Sequence, residues 1–91
     1  MKFLYFDVYR DAVIVTEFRV EEGKVQTLRN MKGTLEWMTK ECANIIEERK
    51  PEKIFIDPMG AGYSFLLAIK EKVTILPDGT VRFDHKTQDN G

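Results

Sequence analysis

Lys53-Ile54-Phe55-Ile56-Asp57-Pro58-Met59-Gly60-Ala61-Gly62 decides how this 91-residue chain is read. Its first half is a short apolar run closed by an acid, and its second half is a glycine-rich bend. A run this short, set between helical patterns, predicts a parallel strand buried on both faces. The bend leads into a short helix over Tyr63 to Glu71, with Phe65, Leu66 and Ile69 on one side and Leu67 nearly opposite. Upstream, Thr34 is a fitting N-cap for a longer helix. Leu35, Met38, Cys42, Ile45, Ile46 and the stem of Arg49 fall on one stripe at 3.6 residues per turn. Trp37 lies off that stripe, so it flanks the core or faces a partner. Arg49 and Lys50 suit the negative end of the helix dipole, and Pro51 stops it.

The first third is built differently. Lys2 to Val8 is aromatic and aliphatic, and ends in a polar turn at Tyr9-Arg10-Asp11. Ala12 to Val20 alternates, placing Val13, Val15, Glu17 and Arg19 on one face and Ala12, Ile14, Thr16, Phe18 and Val20 on the other. Glu21-Glu22-Gly23-Lys24 is a hairpin turn, and Val25 to Leu28 a third strand that ends before Asn30 to Gly33. Val73 to Leu76 reads as a last buried strand, Pro77-Asp78-Gly79 as a turn, and Thr80 to Asp84 as an extended segment. The expected architecture is α/β, in the order β-β-β-α-β-α-β. An antiparallel meander is followed by right-handed crossovers, giving a mixed five-stranded sheet in spatial order 3-2-1-4-5. One domain over 1–84 and a flexible polar tail over 85–91 are expected.

Composition narrows the function classes. Fourteen Lys and Arg against fifteen Asp and Glu give a net charge of −1, which argues against a polybasic coat for nucleic acid or membrane. With 43% apolar and 32% charged residues, the chain is globular rather than disordered. No apolar run approaches a membrane span, and the early Asp7 does not suit a secretory signal, so no membrane partner is expected. One Cys and one His exclude an internal disulfide and a zinc cluster, and place the expected compartment in the cytoplasm.

The chemistry gathers at two acids. In the expected order the first and fourth strands are parallel neighbours. Asp7 closes Phe3-Leu4-Tyr5-Phe6, and Asp57 closes Ile54-Phe55-Ile56. Neighbouring strands lie about 4.8 Å apart, so carboxylates at matching strand ends can grip one divalent cation. Hard oxygen ligands with water in the remaining positions suit Mg²⁺ or Mn²⁺. A cation held there can polarise a phosphodiester and activate water. Each acid also has a plainer reading. Asp7 fits a strand-end acid bonded into its turn or paired with Arg10, and Asp57 fits an Asx-turn acid before Pro58.

A first-strand acid, a meander, a helix, a fourth-strand acid and a glycine-bearing turn resemble the ribonuclease H-like superfamily, closest to the nuclease domain of phage terminase large subunits. Ile54 to Gly62 is similar to the terminase pattern of a buried strand, Asp, two residues and Gly-x-Gly; Phe6 to Val15 is similar to its first catalytic strand and hairpin. The resemblance spans most of residues 1–76. It implies a phage- or prophage-type metal-dependent nuclease acting on nucleic acid, with Asp7 and Asp57 as catalytic metal ligands. Such nucleases carry a third acid or His on a later segment. Asp84, His85 and Asp89 are the residues of this chain left for that role, Asp84 foremost.

Other features are read more plainly. Gly60 and Gly62 precede no Lys-Ser/Thr and form no Gly-x-Gly-x-x-Gly, so they are turn and packing glycines rather than a nucleotide loop. Cys42 on the apolar stripe is a buried structural thiol. Lys2, Arg10, Arg19, Lys24, Arg29 and Lys32 form a solvated sheet surface or, alternatively, a phosphate track. Trp37, Tyr63 and Leu67 mark a surface for a homodimer or another partner. The alternative to a nuclease is thus a non-catalytic, degenerate relative that works by self-association or docking.

Overall fold

β1 (Lys2–Val8) occupies an inner position of the sheet because both its edges are paired with neighbouring strands. The structure is a computed structural model that describes residues 1–83. Asp84, His85 and Asp89, and the expected boundary between 84 and 85, lie outside the described residues. β2 (Ala12–Arg19) runs antiparallel to β1, β3 (Lys24–Lys32) antiparallel to β2, and β4 (Lys53–Ile56) parallel to β1. The result is a small α/β domain with a mixed four-stranded sheet in the order β3-β2-β1-β4 and two helices, α1 (Leu35–Arg49) and α2 (Ala61–Lys70).

The core lies on one face of the sheet. Leu4 and Phe6 of β1, Val13 and Val15 of β2 and Ile54 of β4 meet Met38, Cys42, Ile45 and Ile46 of α1 and Phe65 and Ile69 of α2 in a single cluster. The alternation read in β2 is observed, with Val13, Val15 and Glu17 all buried. Thr34 caps α1 as expected, its Oγ1 accepting the Trp37 N–H at 3.1 Å. Leu35 departs from the predicted stripe and is exposed. Thr39 takes a buried place instead, its hydroxyl bonding the Leu35 and Glu36 carbonyls at 3.0 and 2.9 Å. Trp37 stands half out of the surface over Gly33, where a Cβ would come within 2.8 Å of its ring.

Four expectations need correction. β3 continues to Lys32 rather than ending at Leu28, because a bulge resets its alternation. Val15 pairs with Arg29 and Thr16 with Thr27, leaving Leu28 as the extra residue. The extra residue turns Met31 into the core while Val25 stays exposed. α2 begins two residues early, at Ala61. β4 is not buried on both faces: Ile54 is in the core but Phe55 is exposed, because both helices pack on the same side.

The fourth correction concerns the fifth strand. β5 (Thr74–Ile75) does not extend the sheet in parallel but pairs antiparallel with β6 (Val81–Arg82). The Pro77-Asp78-Gly79 turn reverses the chain too soon for β5 to run along the sheet. The returning strand then reaches the edge of β4 through a bridge between Lys53 and Thr80. Ile54 donates its N–H to the Gly79 carbonyl at 2.9 Å, and Val81 to the Glu52 carbonyl at 3.0 Å. No helix of the described residues is long and apolar enough to cross a membrane.

Candidate metal centre

The inner position of β1 brings the two acids to matching strand ends. β1 and β4 pair in parallel from Phe3 with Lys53 to Phe6 with Ile56, so the next step in register is Asp7 and Asp57. Asp7 follows Phe3 and Tyr5 onto the sheet face away from the helices, and is half-buried. Asp57 lies just past the end of β4 and is exposed.

Each carboxylate has one oxygen engaged. The Tyr9 hydroxyl donates to Asp7 Oδ2 at 2.7 Å. Tyr9 is two residues beyond Asp7, so an extended backbone puts both side chains on one side. That bond, with the negative charge behind it, holds the Tyr9 phenol above its ordinary value of 10.0. Tyr9, rather than the Arg10 that the sequence offered, is the side-chain partner observed for Asp7. Asp57 Oδ1 accepts the Met59 N–H at 3.1 Å, the Asx turn anticipated before Pro58.

The glycines behind Asp57 are structural. Gly60 is the N-cap of α2 at φ 56° and ψ −127°, a backbone region closed to side chains. Gly62 packs so tightly on the end of β4 that a Cβ would stand 1.7 Å from the Asp57 carbonyl oxygen. The short loop therefore holds Asp57 close to the first turn of α2. A shallow groove opens nearby between the end of β1 and the starts of both helices, lined by Tyr9, Arg10, Leu35, Gly60, Ala61 and Ser64.

Two carboxylates, each with one oxygen not bonded by another of the described residues, suit a hard cation that keeps much of its water. Among the described residues no group of three His, Cys, Asp or Glu side chains gathers to hold a metal. Asp7 and Asp57 each follow the last paired residue of β1 and β4, Phe6 and Ile56, while Asp84 and His85 fall outside the described residues.

Three of the six bases of the alternative phosphate track are engaged within the protein. Lys2 Nζ donates to the Arg49 carbonyl at 2.7 Å, Arg19 pairs with Glu17 and Glu22, and Arg29 pairs with Glu41 at 3.3 Å. Cys42 is fully buried, and desolvation pushes its thiol up to about 12, which suits the inert structural reading. Two side-chain partnerships differ in how far the sequence signals them. Tyr9 with Asp7 was legible in their spacing; Glu17 with Arg49, 32 residues apart, was not. No protein family, curated protein or solved structure matches this chain.

Proposed function

We propose that this chain is a ribonuclease H-like protein of phage or prophage type that holds Mg²⁺ or Mn²⁺ between Asp7 and Asp57 and acts on phosphodiesters of nucleic acid. One observation carries the reading: β1 and β4 pair in parallel up to Phe6 and Ile56, and an acid follows the last paired residue of each strand. A cation there supplies Lewis acidity toward a phosphoryl oxygen and lowers the pKa of a bound water. The protein's own part is positioning. Tyr9 fixes the rotamer of Asp7, and the Met59 N–H fixes that of Asp57. Support for the ribonuclease H-like assignment comes from the 3-2-1-4 order, which is the part of the expected five-strand arrangement that the described residues contain.

The test is Mn²⁺ titration followed by NMR, then cleavage assays on single-stranded DNA, duplex DNA and an RNA–DNA hybrid. Selective broadening around Asp7 and Asp57, lost in Asp7→Asn/Asp57→Asn, is expected, with cleavage by the native protein alone. Uniform weak broadening, or equal cleavage by both proteins, removes the proposal.

A non-catalytic interaction module is the second reading. Tyr63 and Leu67 favour it, standing 56% and 48% exposed on α2. Tyr63→Asp and Leu67→Asp should then dissociate an oligomer seen by light scattering. A molar mass unaffected by either change counts against this reading.

A further inference from the structure

The sheet has two faces and the described helices cover one. Alternation and register assign the other face residue by residue. Phe18 lies between Phe3 and Val25, Thr16 between Tyr5 and Thr27, Ile14 between Asp7 and Asn30, and Phe55 beside Tyr5. Phe3, Tyr5, Ile14, Phe18, Val25 and Phe55 thus form one apolar surface. Phe3 and Phe55 pack edge to face at 5.3 Å. Phe55 is 42% and Val25 65% exposed. A sheet with an apolar face is stable against water only when a second layer covers it. Residues 84–91, Asp84-His85-Lys86-Thr87-Gln88-Asp89-Asn90-Gly91, carry no apolar side chain.

We infer that this open face is a homodimer interface, with the sheets of two copies packed face to face and the helices outside. The occupant follows from charge placement. Asp7 and Asp57 lie at one end of the face on the β1–β4 side. Lys32, opposite Ala12, lies at the same end on β3, and Lys53, beside Phe3, lies at the other end of β4. A two-fold axis along the strands brings the acids onto the partner's Lys32. An axis across the strands brings them onto the partner's Lys53. Either symmetric pairing sets opposite charges together at the rim and apolar side chains at the centre. A nucleic acid would find two lysines and two acids on this face, a poor phosphate surface.

Size sets the strength. Four strands spaced about 4.8 Å, averaging about seven residues that rise about 3.3 Å each, give a footprint of roughly 19 by 23 Å. That is smaller than the roughly 800 Å² per partner of a standard interface, so the dimer is concentration-dependent. The inference uses the Asp7 and Asp57 carboxylates in their metal-free state, so it stands apart from the proposed cation binding, and it does not involve the exposed side of α2.

Sedimentation equilibrium on the whole chain tests it. The average mass should rise from 10.6 kDa toward twice that value between about 10 µM and about 1 mM. Phe55→Glu and Val25→Lys, each at an exposed side chain, should weaken association at least about tenfold while circular dichroism stays native. Lys32→Glu/Lys53→Glu should weaken it as well, and more at low salt than at high salt. A chain that stays monomeric throughout overturns the inference. So does a dimer indifferent to Phe55→Glu and Val25→Lys, or one dissociated only by Tyr63→Asp. Binding of oligothymidylate by a monomer, lost in Phe55→Glu, would assign the face to single-stranded nucleic acid instead.

Discussion

The Arg49 guanidinium closes over the Glu17 carboxylate with two hydrogen bonds of 2.9 Å, Nε to Oε2 and Nη2 to Oε1. This fork ties the last turn of α1 to the middle of the sheet. Arg19 Nε adds a third bond to Oε1 at 3.2 Å. Glu17 is 1% exposed, yet its cover is thin, because the two arginine side chains over it are 32% and 40% exposed. Arg49 lowers the pKa of the Glu17 carboxyl, helped by Arg19 and opposed by burial.

Removing either member of this pair should destabilise the fold. Glu17→Gln keeps the shape but loses the charge, and should cost about 2 kcal/mol in urea denaturation. Arg49→Met leaves the carboxylate with Arg19 alone and should cost about 3 kcal/mol, a figure at the low end for buried pairs because water reaches the guanidinium groups. The pH dependence has a definite sign. Glu17 is less easily protonated folded than unfolded, so its contribution is fully present above the ordinary carboxylate range and fades as pH falls through the folded value. Native protein should lose stability on acidification toward pH 3 more steeply than Glu17→Gln.

Gly62→Ala should be among the most damaging single-methyl changes. Its Cβ would overlap the Asp57 carbonyl oxygen at 1.7 Å, so the start of α2 must lift from the end of β4. A loss of about 3 kcal/mol is expected, larger than ordinary helix propensity would produce in the favourable direction. Chemical shifts should change at Asp57 and Met59 and remain native at Cys42, on the other helix.

Tyr9 reports on Asp7. In an ultraviolet titration its phenol should ionise above the ordinary tyrosine value, and Asp7→Asn should return it toward 10.0. The bond is present while the phenol is neutral, so its contribution to the fold is lost as pH rises through that raised value. Tyr9→Phe frees Asp7 Oδ2 and should change the Mn²⁺ broadening at Asp7 without unfolding the chain. Identical titration of native protein and Asp7→Asn would show that the bond is absent in solution.

Cys42 should resist a disulfide reagent at pH 8 while the protein is folded, with its thiol raised to about 12 by burial. Full reaction should appear only in denaturant, so the rate measures opening of α1 from the sheet.

Local chemistry made much of this legible. Thr34, the stripe from Met38 to Ile46 and Pro51 mark α1 because capping, periodicity and the missing proline donor act within a few residues. The alternation in β2 has the same short range. The order 3-2-1-4 follows from a meander and one crossover, and with it the parallel pairing of the two strands that Asp7 and Asp57 close. The third-strand bulge was not legible, since Leu28 leaves the pairing only because Met31 and Val15 both seek the core.

The chain by itself determined which residues are apolar, where α1 begins and which acids follow the β1 and β4 runs, because those depend on neighbours in sequence. Tertiary structure alone decided that both helices share one face, that β6 rather than β5 meets β4, and that Arg49 reaches Glu17. Each of those outcomes depends on groups distant in sequence competing for the same space, the same strand edge or the same carboxylate, and no local pattern records which competitor wins.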